Sequence, residues 1–228
     1  MGGPVAERRG NCYVDFMFLT FEGLDASGKT TQAQRAVETL RARHDKVVHF
    51  IREPGGTAIS ERLREILLDR ENLELTDLTE LLLFSASRAQ LVHQVILPAL
   101  RRGEIVVCDR YADSTTAYQG YGRGLNLDAV RQINTVATGG TDPDLTILVD
   151  ITVDEIERRR NTTGGRPDRM ESAGREFYER VRAGYLAIAR DYPERFVVVN
   201  GMRSIDEIAR DIARLVEKRH EKHLREAT

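Results

Sequence analysis

Apolar residues gather in five short runs along the chain, separated by longer stretches with helical spacing. The runs are rich in Val, Ile and Phe, and polar residues hardly alternate with apolar ones within them, which is typical of strands covered on both faces. The runs lie at 17–23, 46–53, 104–110, 145–151 and 195–201. The pattern therefore predicts five strands of a buried parallel sheet.

The stretches between these runs have the spacing of helices. They cover 29–44, 58–69, 76–102, 126–137, 170–191 and 204–223. Strand alternating with helix predicts right-handed crossovers with helices on both sides of the sheet, which is an α/β fold of three layers, α/β/α. Ligands of such sheets bind at the carboxyl ends of the strands, so the loops that follow the strands are where a site is expected.

Length and composition narrow the class of protein. With 228 residues, 41% of them hydrophobic, the chain can bury the core of one domain, which we expect at 16–223 between a flexible extension at 1–15 and a tail at 224–228. A net charge of −2 argues against broad electrostatic binding to nucleic acid or membrane. No run is long enough to span a bilayer, and two cysteines without metal-ligand spacing predict a reduced, cytoplasmic protein.

The segment Gly23-Leu24-Asp25-Ala26-Ser27-Gly28-Lys29-Thr30 matches G-x-x-x-x-G-K-[ST] between a predicted strand and a predicted helix. Its glycines let successive backbone N–H groups and the following helix N-terminus face anionic oxygens. Lys29 is expected to reach the β- and γ-phosphates of a nucleoside triphosphate, and Thr30 to offer its hydroxyl to Mg²⁺. We expect this segment, together with Thr31, to bind ATP.

Arginines follow several predicted strands. Arg52 ends the second strand in "REPGGT" and Arg110 ends the third in "CDRY". A further group lies within one predicted loop and comprises Arg158, Arg159, Arg160, Arg166 and Arg169. Arginines that converge on one cavity need anionic oxygens to offset their desolvation, which favours a second phosphate as acceptor over water. For each arginine alone, a surface salt bridge is the simpler interpretation.

In order along residues 17–213, the motifs "FEGLDASGKTTQ", "REPGGT", "LLLFSASRAQ", "DRYADSTTAYQG" and "RPDRME" resemble those of the thymidylate kinase family. The resemblance implies a P-loop kinase fold with a small arginine-rich lid at about 157–170. It implies transfer of phosphate from ATP, with Mg²⁺, to dTMP, giving dTDP and ADP. It also implies a homodimer, for which the apolar face of the 76–102 helix is one candidate surface.

The resemblance also implies roles for individual residues. Arg52 and Arg110 clamp the dTMP phosphate, Asp25 accepts a hydrogen bond from the 3′-hydroxyl of the sugar, and Asp109 helps Thr30 to hold Mg²⁺ or its waters. Phe84 stacks on thymine, Arg88 donates to a thymine carbonyl one helical turn on, and Tyr118 excludes a ribose 2′-hydroxyl. The implied dTMP site comprises Asp25, Arg52, Glu53, Pro54, Phe84, Arg88, Arg110, Ser114, Thr115, Tyr118 and Gln119.

Two positions depart from the family pattern. Ser87 stands where the family often carries Asp, which removes one possible partner for an arginine. Ala26 stands where one branch of the family has an arginine in the phosphate loop, so the resemblance implies that lid arginines stabilise the transferring group. The candidates are Arg160 and Arg166, while Arg158 is placed on the adenine ring. The implied catalytic set is Lys29, Asp109, Arg110, Arg160 and Arg166.

Alternatives remain open at this point. Asp25 could stabilise its own loop, Glu53 could pack against "PGGT", and Phe84 could be core. The nearest rival function is a kinase of another nucleoside monophosphate. A rival of another class is a binding or assembly module that uses ATP without transferring phosphate to a small molecule. No N-K-x-D run follows a late strand, which argues against a switch GTPase.

Overall fold

The computed structural model of the protein describes residues 17–163, 169–170 and 174–226. Its sheet has five strands in the order β2-β3-β1-β4-β5, and every neighbouring pair is parallel. The strands are β1 (Met17–Glu22), β2 (Val48–Arg52), β3 (Ile105–Asp109), β4 (Leu145–Asp150) and β5 (Phe196–Asn200). The prediction of a five-stranded parallel sheet is therefore confirmed, with each strand within two residues of its expected ends.

Helices cover both faces of this sheet. They are α1 (Lys29–Arg43), α2 (Ala58–Leu68), α3 (Asp77–Leu91), α4 (Leu97–Arg101), α5 (Ala112–Thr115), α6 (Leu127–Thr138), α7 (Val153–Thr163), α8 (Arg175–Asp191) and α9 (Ile205–Glu226). The helix expected at 76–102 is continuous, but a π-helical segment, Val92–Ile96, joins α3 to α4. A second π-helical segment, Thr116–Gly122, continues α5. The predicted tail at 224–228 begins inside α9.

Apolar clusters cover both faces of the central strands, with one cluster on one face and two on the other. On one face, α1 and α9 pack over alternate residues of β1, β3 and β4, among them Leu19, Val107 and Ile147. On the other face, α3 and α4 cover Phe18 and Val106, and α8 covers Leu148. All six residues of β1 are buried. This burial explains why the central strands show no alternation of apolar and polar residues.

Two helical stretches were missed by the sequence analysis. The first, α5 with its π-helical continuation, has β-branched residues and glycines that disfavour helix. The second, α7, carries Arg158, Arg159 and Arg160, which were expected in a loop; that expectation was wrong. The Thr152 hydroxyl accepts a hydrogen bond from the Glu155 N–H at 3.3 Å, and acidic residues occupy the first turn of α7. Thr152 and Glu155 have the spacing of a capping box, which was the available signal.

The carboxyl ends of β1, β2 and β3 lie side by side. Asp109 of β3 is in register with Phe21 of β1 and with Arg52 of β2. The motifs that follow these strands are therefore brought to one edge of the sheet. Among the described residues, no helix has the length and apolar character needed to cross a membrane.

Candidate active site

The loop between β1 and α1 has the geometry of a phosphate cradle. Gly23 and Gly28 adopt φ angles of 142° and 91°, and a Cβ at Gly23 would lie 2.6 Å from the Val149 carbonyl oxygen. Only glycine fits such a left-handed, closely packed position. The N-cap residue of α1 is Gly28, which has no side chain to cap the helix, so the first N–H groups of this helix are left for another acceptor. An anion is the acceptor that a helix N-terminus favours.

Lys29 and Thr30 begin α1 next to the end of β3. The Lys29 ammonium lies 3.9 Å from Asp25 Oδ1, and the residue is 8% exposed. Burial, together with the nearby Arg110 guanidinium, lowers the pKa of Lys29, although the carboxylates of Asp109, Asp25 and Glu22 act in the opposite direction. The ammonium is thus held in a crowded group of charges at the mouth of the loop.

The Thr30 hydroxyl donates a short hydrogen bond to Asp109 Oδ2. The other carboxylate oxygen, Asp109 Oδ1, is buried and has no hydrogen-bond partner among the described residues. Described residues contain no group of three His, Cys, Asp or Glu side chains that could hold a metal by themselves. A hydroxyl and one carboxylate nevertheless suit Mg²⁺, because this ion takes its remaining oxygens from phosphates and water.

Arg110 lies at the centre of the edge formed by β1 and β3. Its backbone has a φ of 70°, an uncommon value for a residue with a side chain, which is found mostly where function or packing demands it. Nη2 donates to Asp25 Oδ1 at 2.5 Å and to the Tyr118 hydroxyl at 3.2 Å, and the guanidinium lies over the Tyr118 ring. Although burial raises the pKa of Asp25, the cations Arg110, Lys29 and Arg160 hold it at about 2.

Arg88 on α3 is 2% exposed and makes four hydrogen bonds of 2.8 to 3.0 Å. The acceptors are Glu53 Oε2, Asn134 Oδ1, the Tyr111 carbonyl and Thr115 Oγ1. The expected partner at position 87 is thus replaced by Glu53 from the loop after β2. Burial raises the pKa of Glu53 to about 7 even though Arg88 lowers it. Glu53 Oε1 is buried with no partner in the described part of the chain.

One cavity brings the predicted dTMP-binding residues together, with the exception of Arg52. It encloses about 600 Å³, part of which is open to solvent, and is lined by Asp25, Glu53, Pro54, Arg64, Leu68, Phe84, Arg88, Arg110, Ser114, Thr115, Tyr118, Gln119 and Met170. Asp25 of the phosphate loop lines this cavity, and α3 contributes Phe84 and Arg88.

Arg52 lies at the rim of this cavity. Its guanidinium donates to the Pro54 carbonyl at 2.9 Å and to Glu61 at 3.0 Å, and 47% of its side chain is exposed. Arg64 of α2 donates to the same carbonyl at 2.9 Å. Sequence reasoning missed Arg64 and Leu68, although their spacing of four residues in α2 puts them on one helix face.

The three consecutive arginines of α7 have different surroundings. Arg158 pairs with Glu155 and is 65% exposed. Arg159 donates to the Ala26, Ser27 and Gly201 carbonyls, so it reaches the phosphate loop. Arg160 donates to the Tyr178 hydroxyl at 2.8 Å and lies 3.8 Å from Asp25 Oδ2. Arg166 lies outside the described residues.

A further network of hydrogen bonds and ion pairs, centred on Glu80, lies next to the cavity and was not predicted from the sequence. Glu80 of α3 is fully buried and accepts hydrogen bonds from Gln119 and Arg123, and an ion pair of 2.7 Å joins it to Arg169. Arg169 also donates to the Leu67 carbonyl. Although Gln119 lines the cavity, its side-chain N–H group is directed to Glu80. The Glu80 carboxylate thus links α3 to the second π-helical segment and to Arg169.

Comparison with known proteins places these features in a family. A model of the family described as thymidylate kinase matches residues 21–212. The chain belongs to the thymidylate kinase family. It is 48% identical over 203 residues to the thymidylate kinase of Deinococcus radiodurans, covering 89% of this chain and 97% of that protein. It is 46% identical over 202 residues to the thymidylate kinase of Caldanaerobacter subterraneus, covering 88% of this chain and 95% of the relative.

A solved structure gives the same result. The crystal structure of thymidylate kinase from Ehrlichia chaffeensis matches with a TM-score of 0.71 at 34% identity, covering 88% of this chain and 98% of that one. The family confirms the predicted fold class and the predicted class of enzyme, a nucleoside monophosphate kinase. The roles assigned to individual residues stay predictions.

Proposed function

We propose that the chain transfers the γ-phosphate of ATP to dTMP within the cavity between the phosphate loop and α3. The activity itself is inferred from membership of the thymidylate kinase family. The observation that supports the assignment of residues is the convergence of Asp25, Phe84, Arg88 and Arg110 on one cavity beside Lys29. The acceptor phosphate is already anionic near neutral pH. Catalysis then consists of positioning and electrostatic stabilisation.

ATP is held by the segment 23–31. The free N–H groups at the start of α1 face the phosphates, and Lys29 neutralises their charge. Mg²⁺ fits Thr30 and Asp109, because Asp109 Oδ1 is a buried oxygen without a partner in the described chain. When bound, the ion neutralises charge on the phosphates.

The acceptor is held by groups that the protein has already fixed. Arg110 and Arg52 bind the dTMP phosphate, while Asp25 accepts the 3′-hydroxyl. Phe84 stacks on thymine, and Arg88, whose side chain is anchored by Glu53 and Asn134, donates to a ring carbonyl. Tyr118, whose hydroxyl lies 3.1 Å from Asp25 Oδ2, occupies the space that a ribose 2′-hydroxyl would need.

Arg160 supplies the cation that Ala26 cannot. Its guanidinium lies 3.8 Å from Asp25 Oδ2 in the phosphate loop, so a small movement of α7 brings it to the transferring group. Arg166 remains the second candidate. Arg159, which reaches the carbonyls of the phosphate loop, and Arg158 lie on the donor side, where Arg158 is proposed to meet the adenine ring.

The test is a coupled assay of ADP release with dTMP, dUMP, dCMP, dGMP and UMP as acceptors. We expect dTMP to give the highest kcat/KM and UMP to be rejected. Equal turnover of all five would point to a broad nucleoside monophosphate kinase and overturn the assignment of the base pocket. Tight ATP binding without formation of any diphosphate would favour the nucleotide-gated binding module.

A homodimer is proposed as well, formed by the exposed apolar face of α2 and α3. Leu78 and Leu82 of α3 are 54% and 49% exposed, and Ile59 and Ile66 of α2 are 52% and 45% exposed. Apolar patches of this kind mark interaction surfaces, and a second copy presents the same patch. Light scattering with size-exclusion chromatography should give twice the monomer mass, and Leu82→Glu should lower it to that of the monomer. A monomeric wild type would refute the dimer.

A further inference from the structure

A buried carboxylate lies beside Arg110 and has no part in the function proposed above. Glu22 is the last residue of β1 and is 0% exposed. Its Oε1 accepts a hydrogen bond from the Tyr111 N–H at 2.7 Å. Its Oε2 accepts from the Ser114 hydroxyl at 2.5 Å and from the Tyr185 hydroxyl at 2.8 Å. Both oxygens therefore have donors, and those donors come from two other parts of the chain.

The same two hydroxyls contact Arg110. Its Nη1 lies 3.2 Å from Ser114 Oγ and 3.2 Å from the Tyr185 hydroxyl oxygen. A guanidinium can only donate hydrogen bonds, and an ionised carboxylate can only accept them. The two hydroxyl oxygens also lie 2.9 Å from each other. Because each hydroxyl has one proton, the arrangement in which both donate to Glu22 and accept from Arg110 is the one that satisfies both charged groups. The ionised carboxylate sets the direction of both hydroxyl protons.

We propose that Glu22 and Tyr185 are positioning residues, which fix the Arg110 guanidinium for the acceptor phosphate through oriented hydroxyl groups. This inference rests on the proposed role of Arg110 in binding dTMP. Nη2 is held by Asp25 and Tyr118 on the side of the sugar. The two N–H groups of Nη1 are shared among the two hydroxyls and the Gly23 carbonyl, which lies at 3.0 Å. Loss of the oriented hydroxyls would release one edge of the guanidinium.

The charges around Glu22 make the arrangement sensitive to pH. Burial and the Asp113 carboxylate raise the pKa of Glu22 to about 7, while Arg110 and the two hydroxyl donors lower it. The Arg195 guanidinium donates to both carboxylate oxygens of Asp113, at 2.7 and 2.8 Å. The titratable or charged side chains around Glu22 are Lys29 of α1, Cys108 of β3, Arg110 after it, Asp113 of α5 and Tyr185 of α8.

The first test is Tyr185→Phe, which removes the hydroxyl and leaves the buried ring. We expect the KM for dTMP to rise about tenfold, the loss typical of one hydrogen bond to a charged group, with kcat and the KM for ATP changed less than twofold. Tyr111→Phe is the matched control, because its buried hydroxyl donates to the Thr141 carbonyl at 3.0 Å and does not contact Arg110. A KM for dTMP within twofold of wild type in Tyr185→Phe would overturn the proposal.

The second test uses pH. A protonated Glu22 donates a hydrogen bond itself and no longer fixes both hydroxyls. The effect of the Tyr185 hydroxyl on the KM for dTMP should therefore become smaller at low pH. The ratio of the KM for dTMP in Tyr185→Phe to that in wild type should be largest at pH 8.5 and should shrink towards pH 6. Because both enzymes use the same substrate, this ratio cancels the titration of dTMP itself. A ratio that is constant with pH contradicts the role of Glu22.

Two further variants separate this inference from the proposed function. Glu22→Gln puts an amide N–H either against the Tyr111 N–H, which is a donor, or against the two hydroxyls, which would then accept from it instead of donating to it. It should therefore raise the KM for dTMP as Tyr185→Phe does. Arg110→Ala should raise that KM more than either. If Arg110→Ala leaves the KM for dTMP unchanged, the proposed role of Arg110 fails. If Arg110→Ala raises it and Tyr185→Phe and Glu22→Gln do not, the positioning role alone is wrong.

Discussion

Two arginines of the acceptor cavity, Arg88 and Arg110, are held differently from Arg158, the first arginine of α7. Arg88 is buried and the Arg110 side chain is only 15% exposed, and their acceptors come from loops and helices distant in sequence. Arg158 is mostly exposed, and its carboxylate partner lies one helical turn away on the same helix. The protein therefore fixes Arg88 and Arg110 before any ligand binds, whereas Arg158 depends on one carboxylate of its own helix.

This difference indicates which arginines are expected to serve substrate binding and which are expected to serve catalysis. A preorganised guanidinium costs little reorganisation when an anion arrives, which favours affinity and orientation. A guanidinium on an exposed helix can move onto charge that develops only during transfer, which favours the transition state over the ground state. Substitutions in the two groups should therefore affect different quantities.

The largest expected effect is on turnover. Arg160→Ala should lower kcat by about 10³-fold, the lower end of the range for an arginine supplied to a phosphoryl transfer, while the KM for dTMP changes little. Steady-state kinetics with ATP and dTMP varied separately would measure both parameters. Arg166→Ala tests the second candidate. If neither variant loses more than about tenfold in kcat, the α7 arginines do not carry the transferring charge.

The contrast also separates what the sequence could predict from what it could not. The phosphate loop, "REPGGT" and "DRY" are local motifs next to apolar runs, so their place at the carboxyl edge of the sheet was predictable. The Glu53–Arg88–Asn134 chain was not, because 35 and 46 residues separate its members from Arg88 and no spacing rule links them. Tyr185 and Glu80 were missed for the same reason. The helix α7 could have been found from its capping residues.

A second prediction concerns stability. Arg88→Ala removes four hydrogen bonds and leaves the Glu53 carboxylate buried without its cation, so the free energy of unfolding should fall by about 3–5 kcal/mol, as for other broken buried ion pairs. Urea denaturation followed by circular dichroism would measure this loss. Arg158→Ala is the control on the exposed side and should leave the denaturation midpoint unchanged. Equal losses in both variants would remove the contrast.

The pH dependence of that loss follows from Glu53. Its folded-state pKa of about 7 lies above its ordinary value of 4.5. The favourable contribution of Glu53 to the free energy of unfolding is therefore present at low pH and is lost as the pH rises through 7. Without Arg88 the folded-state pKa of Glu53 is higher still, so the loss of stability continues to higher pH. The difference between wild type and Arg88→Ala should therefore be larger at pH 8.5 than at pH 5.5. A difference independent of pH would mean that Glu53 does not titrate in this range.

The smallest predicted effect tests how Arg160 is held. The Tyr178 hydroxyl accepts from Arg160 Nη2 at 2.8 Å and donates to the Met170 carbonyl at 3.2 Å, while the guanidinium lies 4.6 Å from the Tyr178 ring centroid. Tyr178→Phe keeps the ring and loses the hydroxyl. We expect kcat to fall about three- to tenfold, because one hydrogen bond to a charged group is lost, with the KM for dTMP unchanged.

Tyr192→Phe, at the end of α8 and 38% exposed, is the matched control and should leave kcat unchanged. Two opposite results would be informative. If Tyr178→Phe raised kcat, the hydroxyl would hold Arg160 away from the transferring phosphate, and the guanidinium would have to leave it during each turnover. If the variant instead raised the KM for dTMP and left kcat alone, Arg160 would belong with the fixed arginines of the acceptor cavity, and the contrast between the two groups would fail at this residue.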